Sequence, residues 1–144
     1  MFKSILFPTD FSDVSIKALG AIKELKAGGA ETVIVVHVID QRTTQTYSQY
    51  NMESPVSWEK DMAAFAVKAL KEVRDDLKKS GFNVKTRLQS GFPVREILKA
   101  EQDEDVSLIV IGSHGKSNLK EMFLGSVSEK VIRKCRNPIL VIKR

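Results

Sequence analysis

Short apolar segments rich in valine and isoleucine alternate along this chain with longer segments of helical periodicity. Four of them are clear, at residues 5–7, 33–39, 108–111 and 139–142, and a weaker alternating run covers residues 84–88. Strands that are apolar without interruption are typical of a parallel sheet that is covered on both faces. Helices in the intervals would supply the crossover connections that parallel strands require.

Four helical patterns occupy these intervals, with apolar residues at steps of three and four. The apolar positions are Ile16, Leu19, Ile22 and Leu25, then Trp58, Met62, Phe65, Ala69, Val73 and Leu77, then Ile97 and Leu98 after Pro93, and finally Val127, Val131 and Cys135. We expect Trp58, Met62 and Phe65 to lie in the core. Cys135 is expected to be a small core residue of the last helix.

The alternation predicts one doubly wound, Rossmann-like α/β domain over residues 1–144, a length that suits a single domain. We expect a five-stranded parallel sheet in the order 3-2-1-4-5, with right-handed crossovers and helices on both faces. Ligands of such sheets bind at the carboxyl ends of the strands, where the winding reverses. Asp10, Val38 and Gly112 fall at three such ends. The sequence therefore predicts one shared site.

A glycine motif follows the fourth predicted strand. It reads Gly112-Ser-His-Gly115, with Gly125-Ser126 after a spacer of nine residues. Glycine allows close approach of the main chain to a ligand and a positive φ. Main-chain N–H groups at a strand end and at a helix N-terminus attract phosphate. The same residues could instead form turns and a Ser126–Glu129 capping box, and the spacing alone leaves both interpretations open.

Other site types fit the sequence poorly. A Walker A loop would need glycine where Val110 stands, and Pro8-Thr9-Asp10 replaces a dinucleotide-binding glycine motif after the first strand. No Cys, His and carboxylate residues have the spacing of metal ligands. We expect His114 to be structural or solvent-facing rather than a catalytic base. No catalytic residue and no protein metal site are predicted.

Composition limits the binding partners and the cellular compartment that can be expected. The net charge of +5 suits an anionic ligand, but the lysines are spread over several helices and do not predict a nucleic-acid surface. No apolar run is long enough for a membrane span, and the opening residues enter a strand without a targeting segment. The single cysteine favours a cytoplasmic protein. Residues 40–55, polar and without a period, are expected to form a loop that serves as a lid or a contact surface.

The motifs together resemble the ATP-binding branch of the universal stress protein family. The resemblance rests on the glycine motif, on the opening Ile5-Leu-Phe-Pro-Thr-Asp10, on Val36-His-Val-Ile-Asp40, and on Asn137-Pro138 before the last apolar run. It extends from about Phe2 to Lys143. It implies ATP or another adenine nucleotide as the ligand, with Mg²⁺ or Mn²⁺ bridging its phosphates, and a homodimer formed through the strand between Ile139 and Lys143.

The resemblance also implies a role for each site residue. Asp10 would accept hydrogen bonds from ribose or adenine, and the Val38 main chain would pair with the adenine edge. The apolar slot would be shaped by Pro8, Thr9 and Ile111. The ribose and phosphates would be bound by Gly112, Gly115, Gly125, Ser126, Val127 and Ser128. Lys116 and Lys120 could add positive charge.

Three functions are compatible with these observations. The first is an ATP-binding regulatory module of the stress response that acts on a protein partner the sequence does not identify. The second is a slow ATPase or phosphotransferase that acts as a switch, although no residue is clearly placed as the base that hydrolysis needs. The third is a structural stress protein that binds no nucleotide. The complete glycine motif counts against the third.

Overall fold

The computed structural model describes residues 2–41, 55–114 and 125–144, with the backbone alone for residues 55–58. Its strands form one five-stranded sheet in the order β3-β2-β1-β4-β5, with every pair parallel. The strands are β1 (Ser4–Pro8), β2 (Thr32–Asp40), β3 (Asn83–Gly91), β4 (Leu108–Gly112) and β5 (Ile139–Ile142). The predicted fold class and strand order are confirmed.

Within the described residues, four helices connect the strands and cover both faces of the sheet. They are α1 (Asp13–Leu25), α2 (Pro55–Lys79), α3 (Pro93–Asp103) and α4 (Ser126–Lys134), with a 3₁₀ turn at Lys26–Gly28 after α1. Successive residues of β1 point to opposite faces. Ile5 therefore packs in the core cluster that includes Ile22 of α1, whereas Leu6 packs in the cluster that includes Ile97 of α3.

The winding of the sheet reverses at β1. The chain continues from β1 through β2 to β3 on one side, and then returns to β4 and β5 on the other. Backbone hydrogen bonds extend the ladders just past the strand ends, from Thr9 N to Val36 O at 2.9 Å and from Ser113 N to Ile142 O at 2.8 Å. This reversal opens a crevice at the carboxyl ends of β1 and β4.

Two residues of the predicted apolar stripes lie outside the core. Ile16 is 62% exposed and Phe65 is 54% exposed, so the predicted place of Phe65 in the core is wrong. Both residues line a groove between α1 and α2. Leu70 and Leu77, further along α2, are buried as expected. The side chain of Trp58 lies outside the described residues.

None of the described helices is long and apolar enough to cross a membrane. The described residues also contain no group of three or more His, Cys, Asp or Glu side chains that could hold a metal ion.

Candidate functional site

A cavity of about 310 Å³ lies at the carboxyl ends of the central strands. Its lining comes from the ends of β1, β2 and β4, from the first turns of α3 and α4, and from α1. The lining residues are Pro8, Thr9, Asp10, Ser15, Val36, His37, Val38, Asp40, Pro93, Ile97, Ile111, Gly112, His114, Gly125, Ser126, Val127 and Ser128. All of the predicted site residues within the described ranges are among them, and Gly115 lies outside those ranges.

The end of β1 enters the cavity as a tightly hydrogen-bonded turn. Thr9 is buried, and its hydroxyl is hydrogen-bonded to the Ser15 hydroxyl of α1. The same Thr9 oxygen accepts the N–H of Phe11 at 3.0 Å, and Phe11 has a φ of 64°. A positive φ is uncommon for a bulky residue and persists only where its surroundings hold it in place. This turn fixes the cavity wall between β1 and α1.

Asp10 and Ser12 divide the hydrogen bonding at the start of α1. Ser12 is the N-cap, and its hydroxyl accepts the N–H of Ser15 at 3.4 Å. Asp10 Oδ1 accepts the N–H of Ser12 at 3.0 Å. Its carboxylate is therefore held in one orientation at the cavity wall, and its ionised form can only accept hydrogen bonds.

The end of β2 contributes His37 and Val38 to the cavity lining. His37 Nδ1 lies 2.8 Å from Thr9 O, and its ring centroid lies 4.6 Å from that of Phe11. Sequence reasoning included Val38 in the site. The lining residues that it omitted are Ser15, Val36, His37, Asp40, Pro93, Ile97 and His114. The strand-end position of His37 was the available signal, whereas the α3 residues reach the cavity only because α3 packs across the end of β2.

The end of β4 and the start of α4 are tied directly to each other. The Ser128 hydroxyl donates to Gly112 O at 2.7 Å, and Gly125 N donates to Ser113 O at 2.7 Å. The Ser128 hydroxyl is therefore occupied in holding α4 against β4. The N–H of Ser128 and the first-turn N–H groups of Ser126 and Val127 face the cavity end of the helix.

The alternative interpretation of the motif, a Ser126–Glu129 capping box, is wrong. Gly125, with φ −61° and ψ 152°, is the N-cap of α4, and it makes no side-chain cap hydrogen bond. Ser126 is already inside the helix, and Glu129 pairs with Arg133 at 2.8 Å instead of reaching back. The first N–H groups of a helix have no intrahelical acceptor. In the described part of the chain, this helix end is therefore left without a side-chain cap.

Gly112 is glycine for a reason other than the predicted positive φ. The described glycines with positive φ are Gly29, Gly81 and Gly91. A Cβ on Gly112 would lie 2.9 Å from Cγ1 of Val14, a distance that real Cβ atoms essentially never show. The absent side chain therefore makes room for α1, while the main chain of Gly112 lines the cavity.

His114 is buried, which contradicts a solvent-facing position. It is 9% exposed, and its Nδ1 lies 2.8 Å from the Ser113 hydroxyl oxygen. Its Nε2 is buried and has no hydrogen-bond partner within the residues that the structure describes. The prediction of a structural histidine explains the Nδ1 contact but leaves Nε2 unexplained.

Positive potential in the cavity comes from main-chain N–H groups, because the acidic lining residues Asp10 and Asp40 are negatively charged. No Lys or Arg of the described residues lines it, and Lys116 and Lys120 lie outside those residues, as does almost all of the loop 40–55. The described groups with shifted pKa values lie elsewhere. Arg144, hydrogen-bonded to Asp13, lowers the pKa of that carboxyl, while burial and then the charge of Glu101 raise the pKa of the Cys135 thiol. An anion here would be bound by N–H groups and the α4 N-terminus.

Comparison with known proteins identifies the family. The model of the universal stress protein family matches residues 1–143. The chain belongs to the universal stress protein family. Universal stress protein MJ0577 of Methanocaldococcus jannaschii is 40% identical, over 100% of this chain and 96% of that protein. The solved structure of MJ0577 gives a TM-score of 0.90 at 41% identity, covering 100% of this chain and 97% of its own.

Two more distant members of the family were solved with adenine nucleotides. A universal stress protein of Archaeoglobus fulgidus, in complex with dAMP, has a TM-score of 0.67 at 22% identity and covers 99% of this chain and 98% of its own. A further universal stress protein structure, in complex with cAMP, has a TM-score of 0.66 at 22% identity. The match covers 98% of this chain and 96% of that chain. At these identities the likeness to this chain is one of fold.

Proposed function

We propose that this universal stress protein is a regulatory module that binds ATP or another adenine nucleotide at the carboxyl ends of its strands. The observation that carries this function is the uncapped N-terminus of α4, which Gly125 and Ser128 tie to the end of β4 at the cavity wall. Such a terminus favours an anion such as phosphate. The dAMP and cAMP complexes of distant relatives support an adenine nucleotide as the source of that phosphate.

The lining suggests an orientation for the nucleotide. Pro8, Val38 and Ile111 provide an apolar slot for adenine, and the Asp10 carboxylate can accept hydrogen bonds from the ribose hydroxyls. The phosphates would then extend towards Gly112 and the first turn of α4, with Gly115 as a further proposed contact. The cavity volume of about 310 Å³ is at the lower end of the range of roughly 300–1,000 Å³ that is common for ligand sites.

A divalent cation would be held by the nucleotide more than by the protein. The described residues contain no cluster of three metal-ligating side chains, but Mg²⁺ commonly keeps several waters and binds through substrate phosphates. We propose that Mg²⁺ or Mn²⁺ arrives with ATP and neutralises part of its charge. This site therefore fits a metal–nucleotide complex better than a free metal ion.

Binding is favoured over rapid hydrolysis. Phosphoryl transfer to water needs a positioned base or water-orienting group and clamped charge on the γ-phosphate. The cavity contains Asp10, whose Oδ1 is engaged by Ser12, and no described Lys or Arg lines it. We propose at most slow turnover, with nucleotide occupancy as the regulatory signal to a protein partner, in a cytoplasmic setting.

The test begins with the purified full chain. Denaturation followed by chromatography should release adenine nucleotide in near-stoichiometric amount, and titration calorimetry of stripped protein should show ATP binding. A phosphate-release assay then separates a binding module from an ATPase. Recovery of no nucleotide, together with no heat and no thermal shift on addition of Mg-ATP, would instead support a structural stress protein.

We also propose a homodimer formed through β5. The two edges of the sheet differ in how they are protected. β3 carries Lys85 and Arg87, which pair with Glu104 at 2.8 and 3.1 Å. β5 is apolar throughout, and its Leu140 is 37% exposed. Charged side chains protect an edge from pairing with another chain, so β5 is the edge available for association.

A further inference from the structure

His114 presents a buried nitrogen that its own chain does not satisfy. Within the described residues, Nε2 of His114 is the one buried side-chain nitrogen or oxygen without a hydrogen-bond partner. The residue is 9% exposed and lines the cavity. Buried polar atoms in folded proteins are almost always paired, since an unpaired one costs about 1–3 kcal/mol. Nε2 of His114 therefore requires a hydrogen-bond partner other than the described residues.

Resting on the proposed function, we propose that His114 Nε2–H donates a hydrogen bond to a phosphate oxygen of the bound nucleotide. The hydrogen bonds of the neighbouring backbone favour the phosphate, rather than the adenine, as the group that His114 contacts. Ser113 O accepts the N–H of Gly125 at 2.7 Å, and Gly125 is the N-cap of α4. His114 is thus the next residue after Ser113, which is hydrogen-bonded to the N-cap of α4. The N-terminus of this helix attracts anions.

The lack of a cationic side chain among the described lining residues strengthens this assignment. No lysine or arginine of the described residues lines the cavity, so His114 is a side chain that can add a donor to those of the main chain. The second histidine of the cavity differs, because His37 Nδ1 is already 2.8 Å from Thr9 O at the end of β1. The two histidines would thus serve different parts of the ligand.

Ser113 determines whether Nε2 can donate. In a neutral imidazole one nitrogen carries the proton and the other accepts. The Ser113 hydroxyl is 2.8 Å from Nδ1, and Ser113 is 2% exposed. When that hydroxyl donates to Nδ1, the ring proton must reside on Nε2, which is the form that a phosphate oxygen requires. Ser113 is therefore a positioning residue that acts through His114.

The test compares two replacements of His114 by calorimetric titration with ATP, AMP and adenosine. The amide of asparagine can replace Nδ1 but is too short to replace Nε2, whereas glutamine can place its amide nitrogen near the Nε2 position. We expect His114→Asn to weaken ATP and AMP binding about tenfold and to leave adenosine affinity unchanged. His114→Gln should recover most of the loss. Thermal unfolding of each variant checks that it is folded.

A spectroscopic measurement tests the tautomer independently of affinity. In ¹⁵N-histidine-labelled protein, Nε2 of His114 should carry the proton, and its signal should move when ATP binds. Ser113→Ala should produce a mixture of tautomers and a smaller loss of ATP affinity than His114→Asn.

Three results would overturn the role of His114 while leaving nucleotide binding intact. They are unchanged ATP affinity in His114→Asn, an equal loss for adenosine, and an unprotonated Nε2 in the ATP complex. If the unaltered chain binds none of the three ligands, the proposed function fails and the role of His114 fails with it.

Discussion

At the scale of single residues, Gly112 shows how one sequence signal can have two physical causes. A glycine at the end of a buried strand was predicted to let a ligand approach the main chain. The structure shows that the missing Cβ would meet Val14 of α1, a residue that does not line the cavity. A motif indicates that a side chain is excluded at a position, but it does not indicate which neighbour excludes it.

Replacement of Gly112 by alanine should destabilise the fold. The new Cβ would lie 2.9 Å from Val14 Cγ1, and Val14 is 1% exposed, so the packing must shift. Overpacking of this kind costs about 1–3 kcal/mol in the free energy of unfolding, measurable by urea denaturation. In a Val14→Ala background the same change should cost clearly less. Equal costs in both backgrounds would show that Val14 is not the residue that requires glycine.

The contribution of the α4 main chain can be tested at Ser126. Proline is tolerated at the first position of a helix, so Ser126→Pro removes one N–H with little change to the helix. A hydrogen bond to a charged group contributes about 1.5–3 kcal/mol, so ATP affinity should fall about tenfold or more. Adenosine affinity should stay the same, as judged by calorimetric titration.

The matched control is Ser126→Ala, which removes the hydroxyl and keeps the N–H. Its loss of ATP affinity should be smaller than that of Ser126→Pro. If the two variants bind ATP equally well, the first-turn N–H of Ser126 does not contact the phosphates.

At the scale of elements, the helix and strand predictions were most accurate where local pattern and tertiary burial agree. The valine-rich runs became strands, and Pro93 opens α3 as predicted. Phe65 and Ile16 fit the helical period equally well, but they face a groove between α1 and α2 that the sheet does not cover. Periodicity identifies one face of a helix, but the packing of neighbouring helices decides how much of that face is buried.

A contact that sequence reasoning missed joins α3 to the connection between α4 and β5. Glu101 is 4% exposed, and its Oε1 accepts the N–H groups of Arg136 and Asn137 at 2.8 and 2.9 Å and the Asn137 side-chain amide at 2.9 Å. On sequence alone a glutamate in a helix is expected at the surface. Its separation of 35 and 36 residues from its partners explains why no local pattern revealed it.

Glu101→Ala should therefore destabilise the protein more than an ordinary helix substitution does. It would leave two main-chain N–H groups without their acceptor, at a cost of about 2 kcal/mol or more in the free energy of unfolding. Urea denaturation measures this cost. The adjacent exposed residue gives the control, since Gln102→Ala should change stability by less than about 0.5 kcal/mol. Equal effects of the two substitutions would exclude a structural role for the Glu101 carboxylate.

At the scale of the whole molecule, the position of the cavity follows from strand order. Once β1 lies between β2 and β4, the ends of these strands must meet at one crevice, which is why Asp10, Val38 and Gly112 could be grouped before the fold was known. The unpaired Nε2 of His114 could not be foreseen, because its burial depends on how α4 packs against the end of β4. Sequence thus located the cavity, while tertiary packing determines which groups in it lack a partner.

The proposed dimer depends on which main-chain groups of β5 point outward. Ile109 N donates to Pro138 O and Ser113 N donates to Ile142 O. In a parallel ladder, alternate residues of a strand face the neighbouring strand. The even-numbered residues of β5 therefore face β4, and the N–H of Val141 faces away from the sheet, where a second chain could accept it.

Val141→Pro should consequently dissociate the dimer without breaking the sheet. Proline is compatible with an edge strand where its missing N–H would face outward. Light scattering should report a dimer for the unaltered chain and for Val141→Ala, which loses side-chain volume but keeps the N–H, and a monomer for Val141→Pro. Circular dichroism should be the same for all three. Pairing along β5 would lose an outward N–H donor at its centre in Val141→Pro and would be weakened. A Val141→Pro protein that remains dimeric would therefore place the interface elsewhere.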